Sequence, residues 1–326
     1  MGCFPKMTGS ITDIAKAAGV SVTTVSRVFT GKAYVREDVR ARVLAVAGEL
    51  NYRPKSTARR ELISFVSGGS LIGLYESALL SGFFMAARQE NFDIDLVEIS
   101  DLERVYRNFS RAIIAPVYSE ARAQELQKLK NIFVITINHI TPGMNYVCTD
   151  HFASGFEATL HLIRNGHRRI AIATAPFENN ISWGEGERLR GYRAALEENK
   201  IPFDPSLIVY GARETPQKLI RLFLEERPTA IVASGEFLLL PVKYAIEILG
   251  KKIPKDISMI GFYSPGETPY LIPEITCIDQ GVERIAKEAF SGAAALVQGK
   301  VKKVETMLPN RWIEGKSVRN LKQKSS

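Results

Sequence analysis

Eighteen residues near the N-terminus, 12–29 (TDIAKAAGVSVTTVSRVF), constrain this chain more than any other stretch. Ile11, Ile14, Ala15 and Ala18 recur at the spacing of one helical face and predict a short amphipathic helix. Ser10 stands at the cap position, and Asp13 three residues later completes a capping box. Gly19 follows, the residue type that turns a chain at positive φ without steric cost. Ser21 then caps a second helix. That helix turns Val25, Val28 and Phe29 inward and shows Thr23, Ser26, Arg27 and Thr30 on its opposite face. Hydroxyls and an arginine on one face of a short helix suit phosphate oxygens and base edges in a major groove.

Val35, Val39, Val43, Val46 and Leu50 continue at helical spacing, so 36–51 reads as a third helix that closes a small core. Pro54 then disfavours helix at the residue before it. Charge is placed unevenly. Residues 1–62 hold eleven Lys and Arg against five Asp and Glu, whereas the whole chain of 326 residues has a net charge of +8. A basic head on a nearly neutral body fits nucleic-acid binding.

Past residue 70, short apolar runs alternate with helix-periodic segments. Strands are expected at 71–75, 94–99, 112–117 and 132–137, with helices at about 78–91 and 120–129. The pattern resumes after residue 150. Helices are expected at about 152–165, 185–199 and 238–249 and after Pro216, and strands at 169–175, near Leu207, at 230–233 and at 258–262. Such alternation argues parallel sheets covered by helices, and two successive sets argue two lobes. Residues 63–70, with Gly68-Gly69, read as a joint to the head. Gly166 reads as a helix stop, and 167–169 as a surface turn.

Several classes are disfavoured. Cys3, Cys148 and Cys277 have no metal or redox spacing, which fits a reducing cytoplasm. No run of apolar residues reaches membrane-spanning length. Residues 1–9 lack the apolar core of a signal peptide and read as a disordered leader. Neither a Gly-x-x-x-x-Gly-Lys phosphate loop nor a Gly-x-Ser-x-Gly elbow occurs, and there are only four His, so no catalytic constellation and no cofactor are expected.

Asp13-Ile14-Ala15, Ala18-Gly19-Val20-Ser21 and Thr24-Val25-Ser26-Arg27-Val28 resemble the N-terminal signature of the LacI/GalR family of bacterial transcription repressors, with Ser10 in place of the family's first Thr. The resemblance implies DNA contacts from Ser21, Val22, Thr23, Thr24, Ser26, Arg27 and Thr30. It also makes 55–62 a hinge that folds on DNA, with Ala58 and Arg59 at the family's Ala-Arg pair. Counting from Pro54 puts the family's minor-groove wedge on Glu61, and one residue further on Leu62. Leu62 is favoured, because phosphates repel a carboxylate and an apolar side chain kinks a minor groove.

The body is similar to the family's sensor through His161-Leu162-Ile163, Gly166-His167-Arg168-Arg169-Ile170-Ala171, Arg188-Leu189-Arg190-Gly191-Tyr192 and Gly261-Phe262. The implied fold is an all-α helix-turn-helix head followed by a two-lobed α/β domain like the periplasmic binding proteins, with parallel sheets. The boundaries expected are a leader at 1–9, the head at 10–54, hinge and linker at 55–70, and the sensor at 71–326. In the cleft, Arg188 matches the family's sugar-holding Arg. Gly235-Glu236 replaces an Asn-Asp pair, Tyr263 replaces an Asp, and Asp150-His151 stands for an Asp-Asn. A short segment, 76–81, replaces the family's polar loop on one cleft wall. Trp183 reads equally as a ring for a sugar to stack on or as packing. The resemblance implies a cytoplasmic homodimer on a palindromic operator, governed by a carbohydrate effector. With two sugar anchors replaced, a regulator without a sugar effector is the alternative. A solute-binding protein or enzyme on the same body is a weaker one.

Overall fold

A computed structural model of the chain describes residues 9–30, 33–50, 52, 61–67, 74–174, 176, 177, 180, 181, 183–211, 215–263 and 266–322. The head consists of α1 (Ile11–Ala18), α2 (Val22–Thr30) and α3 (Glu37–Glu49). The Ser10 hydroxyl oxygen accepts from the Asp13 backbone N–H at 3.2 Å, and the Asp13 carboxylate accepts from the Ser10 backbone N–H at 2.7 Å. Gly19 ends α1 at φ 65°, in the left-handed region. The Ser21 hydroxyl accepts from the Thr24 backbone N–H at 3.0 Å and so caps α2. Ile14, Ala15, Ala18, Val25, Val28, Val43, Leu44 and Ala47 form the head's core.

The body begins with β1 (Leu62–Ser67), α4 (Leu74–Glu90), β2 (Asp93–Glu98), α5 (Glu103–Arg107), β3 (Ala112–Pro116), α6 (Glu120–Gln127), β4 (Phe133–Ile137) and β5 (Asn145–Thr149). The chain then enters a second lobe with α7 (His151–Arg164), β6 (Ile170–Thr174), the small pair β7 (Pro176–Phe177) and β8 (Asn180–Ile181), and α8 (Trp183–Glu198). That lobe continues with β9 (Ile208–Tyr210), α9 (Thr215–Glu225), β10 (Ala230–Ala233), α10 (Leu239–Ile248), β11 (Ser258–Phe262) and β12 (Thr276–Asp279). The chain crosses back for α11 (Val282–Val297) and β13 (Glu305–Leu308), then crosses once more to β14 (Arg311–Ile313).

The N-terminal sheet runs β13-β5-β4-β3-β1-β2, and the C-terminal sheet β14-β12-β11-β10-β6-β9. Pairing is parallel throughout the first, whereas in the second β14 lies antiparallel to β12. Strands covered on both faces are continuous apolar runs: every residue of β3 and β10 is buried.

Two glycines decide how closely α7 and α8 approach. A Cβ at Gly155 would overlap the backbone carbonyl of Arg188, and one at Gly191 would overlap that of Phe152. Any side chain there would push the helices apart and carry Arg188 away from the start of α7.

The structure corrects several expectations. The first strand is β1, at Leu62–Ser67, not 71–75; Leu74 and Tyr75 open α4. Residues 63–67 are therefore a buried central strand, paired with both β2 and β3, and not a linker. Leu62 pairs with Asp93, and its carbonyl accepts from the Arg111 N–H at 2.8 Å, so sheet hydrogen bonds hold it away from a hinge wedge. The segment 76–81 is no loop but the early turns of α4. His167 is fully buried, its ring nitrogens 2.9 Å from the Thr229 hydroxyl and 3.1 Å from the Arg319 carbonyl, where a surface turn was expected. Ala58 and Arg59 lie outside the described residues.

Candidate DNA-reading face and inter-lobe site

On α2, Val25 and Val28 are buried while Val22, Thr23 and Arg27 are exposed on the side away from the core. Among the sequence-named hydroxyls, Ser21 and Thr24 bond each other at 2.8 Å, and Thr30 donates to the Ser26 carbonyl at 2.9 Å. Thr23 and Arg27, with Thr30 at the helix end, are thus the exposed polar side chains of this helix. The head rests against the N-terminal lobe elsewhere: Phe29 lies between the rings of Tyr52 (5.5 Å) and Phe109 (5.4 Å). The contact leaves the reading face uncovered.

The second site lies where the chain passes between lobes. Arg188, on α8, is 5% exposed. Its Nη1 donates to the Glu185 carboxylate at 2.6 Å and to the Ser234 carbonyl. Its Nη2 donates to Gln280 Oε1 at 2.8 Å and lies 3.2 Å from His151 Nδ1. The guanidinium also stands 4.2 Å over the Phe262 ring. Glu185 is held in turn by the Thr174 hydroxyl at 2.8 Å and by the Ser234 hydroxyl. An arginine fork that could chelate a ligand is engaged by the chain's own groups.

His151 opens α7 and is buried. Burial, and then the Arg188 charge, hold its imidazole well below the usual histidine range. A neutral ring whose Nδ1 faces an N–H donor carries its proton on Nε2, and that atom has no hydrogen-bond partner among the described residues. Asp150 serves as the α7 cap, its carboxylate accepting from the Ala153 N–H at 2.8 Å. Trp183 is the first residue of α8, and its ring lies 5.6 Å from that of His139 and 5.8 Å from that of His151. Tyr263 packs half-buried on the C-terminal lobe's core. Burial raises the Glu236 carboxyl above its ordinary value, with Arg188 opposing and Glu185 adding to the rise.

The N-terminal lobe contributes residues that the sequence did not single out. Ser67 donates to Glu76 at 3.0 Å, Tyr118 donates to Glu76 at 3.4 Å, and Asn138 donates to the Tyr75 hydroxyl at 2.7 Å. Burial pushes the Tyr75 phenol up, and the Glu236 carboxylate of the other lobe adds to it. Glu185 was within reach of sequence reasoning, since it stands three residues before Arg188 on one helix face. Gln280 and Ser234 were not. Among the described residues no group of three or more His, Cys, Asp and Glu could hold a metal ion, and no helix is long and apolar enough to cross a membrane.

Residues 10–55 match the family described as bacterial regulatory proteins, lacI family, and residues 159–318 match a periplasmic binding protein-like domain. The chain is 28% identical over 332 residues to the HTH-type transcriptional repressor PurR of Proteus mirabilis (strain HI4320), covering 95% of this chain and 96% of that protein. PurR of Escherichia coli O1:K1 / APEC is 28% identical, with 86% and 88% covered. In fold, the chain is similar to a lac repressor dimer bound to operator and the anti-inducer ONPF, with TM-score 0.71, 22% identity, and 95% and 99% of the two chains covered. A transcriptional regulator CelR–cellobiose complex gives TM-score 0.70 at 21% identity, with 95% and 99% covered.

Proposed function

We propose that this chain, which belongs to the LacI family of bacterial regulatory proteins, acts as a homodimeric repressor that binds a palindromic operator and responds to a small molecule between its lobes. The DNA-binding reading rests on one observation above the others. A capped helix-turn-helix presents Val22, Thr23 and Arg27 outward from a head in which basic residues outnumber acidic ones. Selection of duplexes from a random pool by the full chain tests it. The selected sequence should be an inverted repeat, and affinity should fall steeply with salt as Lys and Arg displace counterions. A flat salt dependence would refute DNA binding.

The homodimer is supported by apolar side chains left uncovered on both lobes. Leu240, Tyr244 and Ile248 fall on one face of α10, Phe237 precedes them, and Tyr270 and Ile272 are exposed in the loop before β12. The N-terminal lobe exposes Phe84 and Met85 on α4 and Leu96 on β2. A second copy related by a two-fold axis would cover both patches and place two heads on two half-sites.

The effector reading rests on cleft residues from both lobes: Tyr75, Glu76, Tyr118 and Asn138 on one side, Trp183 and Glu236 on the other, with Arg188 and His151 beneath. By analogy with the cellobiose complex, a carbohydrate is the ligand class to test first. The engagement of Arg188 within the chain favours a second reading, in which lobe arrangement is set without a sugar. A panel of neutral sugars, sugar phosphates and polyols, scored by change in operator affinity, separates the two.

A further inference from the structure

The chain passes between the lobes three times, at 149–151, 279–282 and 308–311, and these crossings are tied to one another. Asn310 of the third donates its side-chain amide to the Asp150 carbonyl of the first at 2.8 Å. Arg311 of the third pairs with Asp279 of the second, at 3.1 Å from Nε. Arg284, just past the second crossing, donates to the Pro309 carbonyl at 2.7 Å. These ties join the third crossing to the first and to the second. They leave open what fixes the crossings to the body of a lobe.

Arg188 supplies that link. One guanidinium nitrogen, Nη2, reaches His151 on the first crossing and Gln280 on the second. The other, Nη1, reaches Glu185 and the Ser234 carbonyl, both within the C-terminal lobe. The side chain cannot drift, because its charge is matched by Glu185 and its own backbone carbonyl lies against Gly155. Rotation of one lobe against the other requires backbone change at the crossings. A planar fork bonded to two crossings and to one lobe resists that change directly.

We propose that Arg188 is a hinge clamp: it locks the first and second crossings to the C-terminal lobe, fixes the lobe angle, and thereby sets operator affinity in the absence of any effector. This rests on the reading that lobe arrangement governs DNA binding, and it requires no ligand. Arg188 acts here as a positioning residue. A ligand that competed for Glu185 or Gln280 would act by releasing the clamp.

The test uses the full-length protein without small molecules. Arg188→Ala alone takes the guanidinium counter-charge away from the buried Glu185 carboxylate and threatens folding, so the variants are Glu185→Gln/Arg188→Ala together and Gln280→Ala alone. Hydrogen exchange is followed at the three crossings. Operator affinity is measured on a duplex that the wild type selects from a random pool. Both variants should exchange about tenfold faster at 149–152 and 279–282, while β10 stays protected. Affinity should fall about fivefold. Leu222→Ala in α9, a cavity-forming change away from the crossings, should leave both readings near wild type. Unchanged exchange at the crossings would overturn the clamp, and so would faster exchange with unchanged affinity. If the wild type selects no duplex at all, the DNA-binding reading fails on its own, and the exchange experiment still reports on the clamp.

Discussion

Asn131 of the N-terminal lobe donates its side-chain amide to the backbone carbonyl of Gly48, in the last turn of α3 in the head. The last four carbonyls of a helix lack intrahelical donors. Here one of them is satisfied by the body of the protein, beside the contact of Phe29 with Phe109. The head is therefore seated on its lobe by a hydrogen bond and a ring contact.

Removing that seat should loosen the head without unfolding it. Asn131→Gly, which keeps the left-handed backbone at φ 58°, deletes one hydrogen bond, worth about 0.5–1.5 kcal/mol. Amide exchange in α3 should rise by the corresponding factor of about two to ten, and Asn131→Gly/Phe109→Gly should raise it further. Identical exchange rates in the variants and the wild type would show that the contact holds nothing.

Thr23 and Arg27 should separate reading from mere attachment. Arg27→Ala and Thr23→Ala should each cost about 1–3 kcal/mol on the selected operator if the side chain meets a base edge, and much less on unrelated DNA. Ser21→Ala should weaken both kinds of DNA alike, since its hydroxyl caps α2. Competition binding against unrelated duplex makes the distinction. Equal losses on both DNAs for Arg27→Ala would mean that the helix enters the groove in another register.

The apolar stripe on α10 gives a test of assembly. Tyr244 is 54% exposed in the single chain, so Tyr244→Glu should leave the fold intact. It should nevertheless shift sedimentation from dimer to monomer at micromolar concentration, because an unpaired carboxylate would be buried in the interface. A dimer of undiminished stability would place the two-fold contact elsewhere.

Acid should destabilise this protein well above the carboxylate range. Burial lowers the imidazoles of His139, His151, His161 and His167 from their ordinary 6.5. The unfolded chain therefore binds more protons below that pH than the folded one, and stability falls as pH drops through it. Each neutral histidine contributes a slope approaching about 1.4 kcal/mol per pH unit until its folded pKa is reached. Glu236, whose carboxyl is raised, opposes this only nearer its own titration. Thermal unfolding should show a lower Tm at pH 5.5 than at 7.5. A Tm at pH 5.5 equal to or above that at pH 7.5 would contradict the burial of these rings.

The head was legible because its determinants are local: a capping box, a left-handed glycine and a helical apolar period, all within twenty residues. The alternating body was legible because strands covered on both faces are uninterrupted apolar runs. The same fact hid the first strand. Residues 62–66 and 71–75 are both short apolar runs, and periodicity cannot choose between them. Pairing with β2 and β3 chooses the first. The surface turn expected at His167 failed for a similar reason, since its partners Thr229 and Arg319 are distant in sequence. In the cleft, Arg188 stood out by its motif, but its contacts with Ser234 and Gln280 span 46 and 92 residues. No local pattern carries that information.

The order in which the parts are made follows from the crossings. The head's core draws only on residues 14–47, whereas the N-terminal lobe's core needs Ile285, Ala289, Phe290 and Ala293 of α11. At roughly 5–20 residues per second, a ribosome finishes the head some tens of seconds before that lobe can close. During that interval the nascent chain carries a complete head with no finished lobe beneath it. If two copies share an operator, as proposed above, such a chain grips one half-site only, and an unfinished copy is a weak competitor for sites held by finished ones.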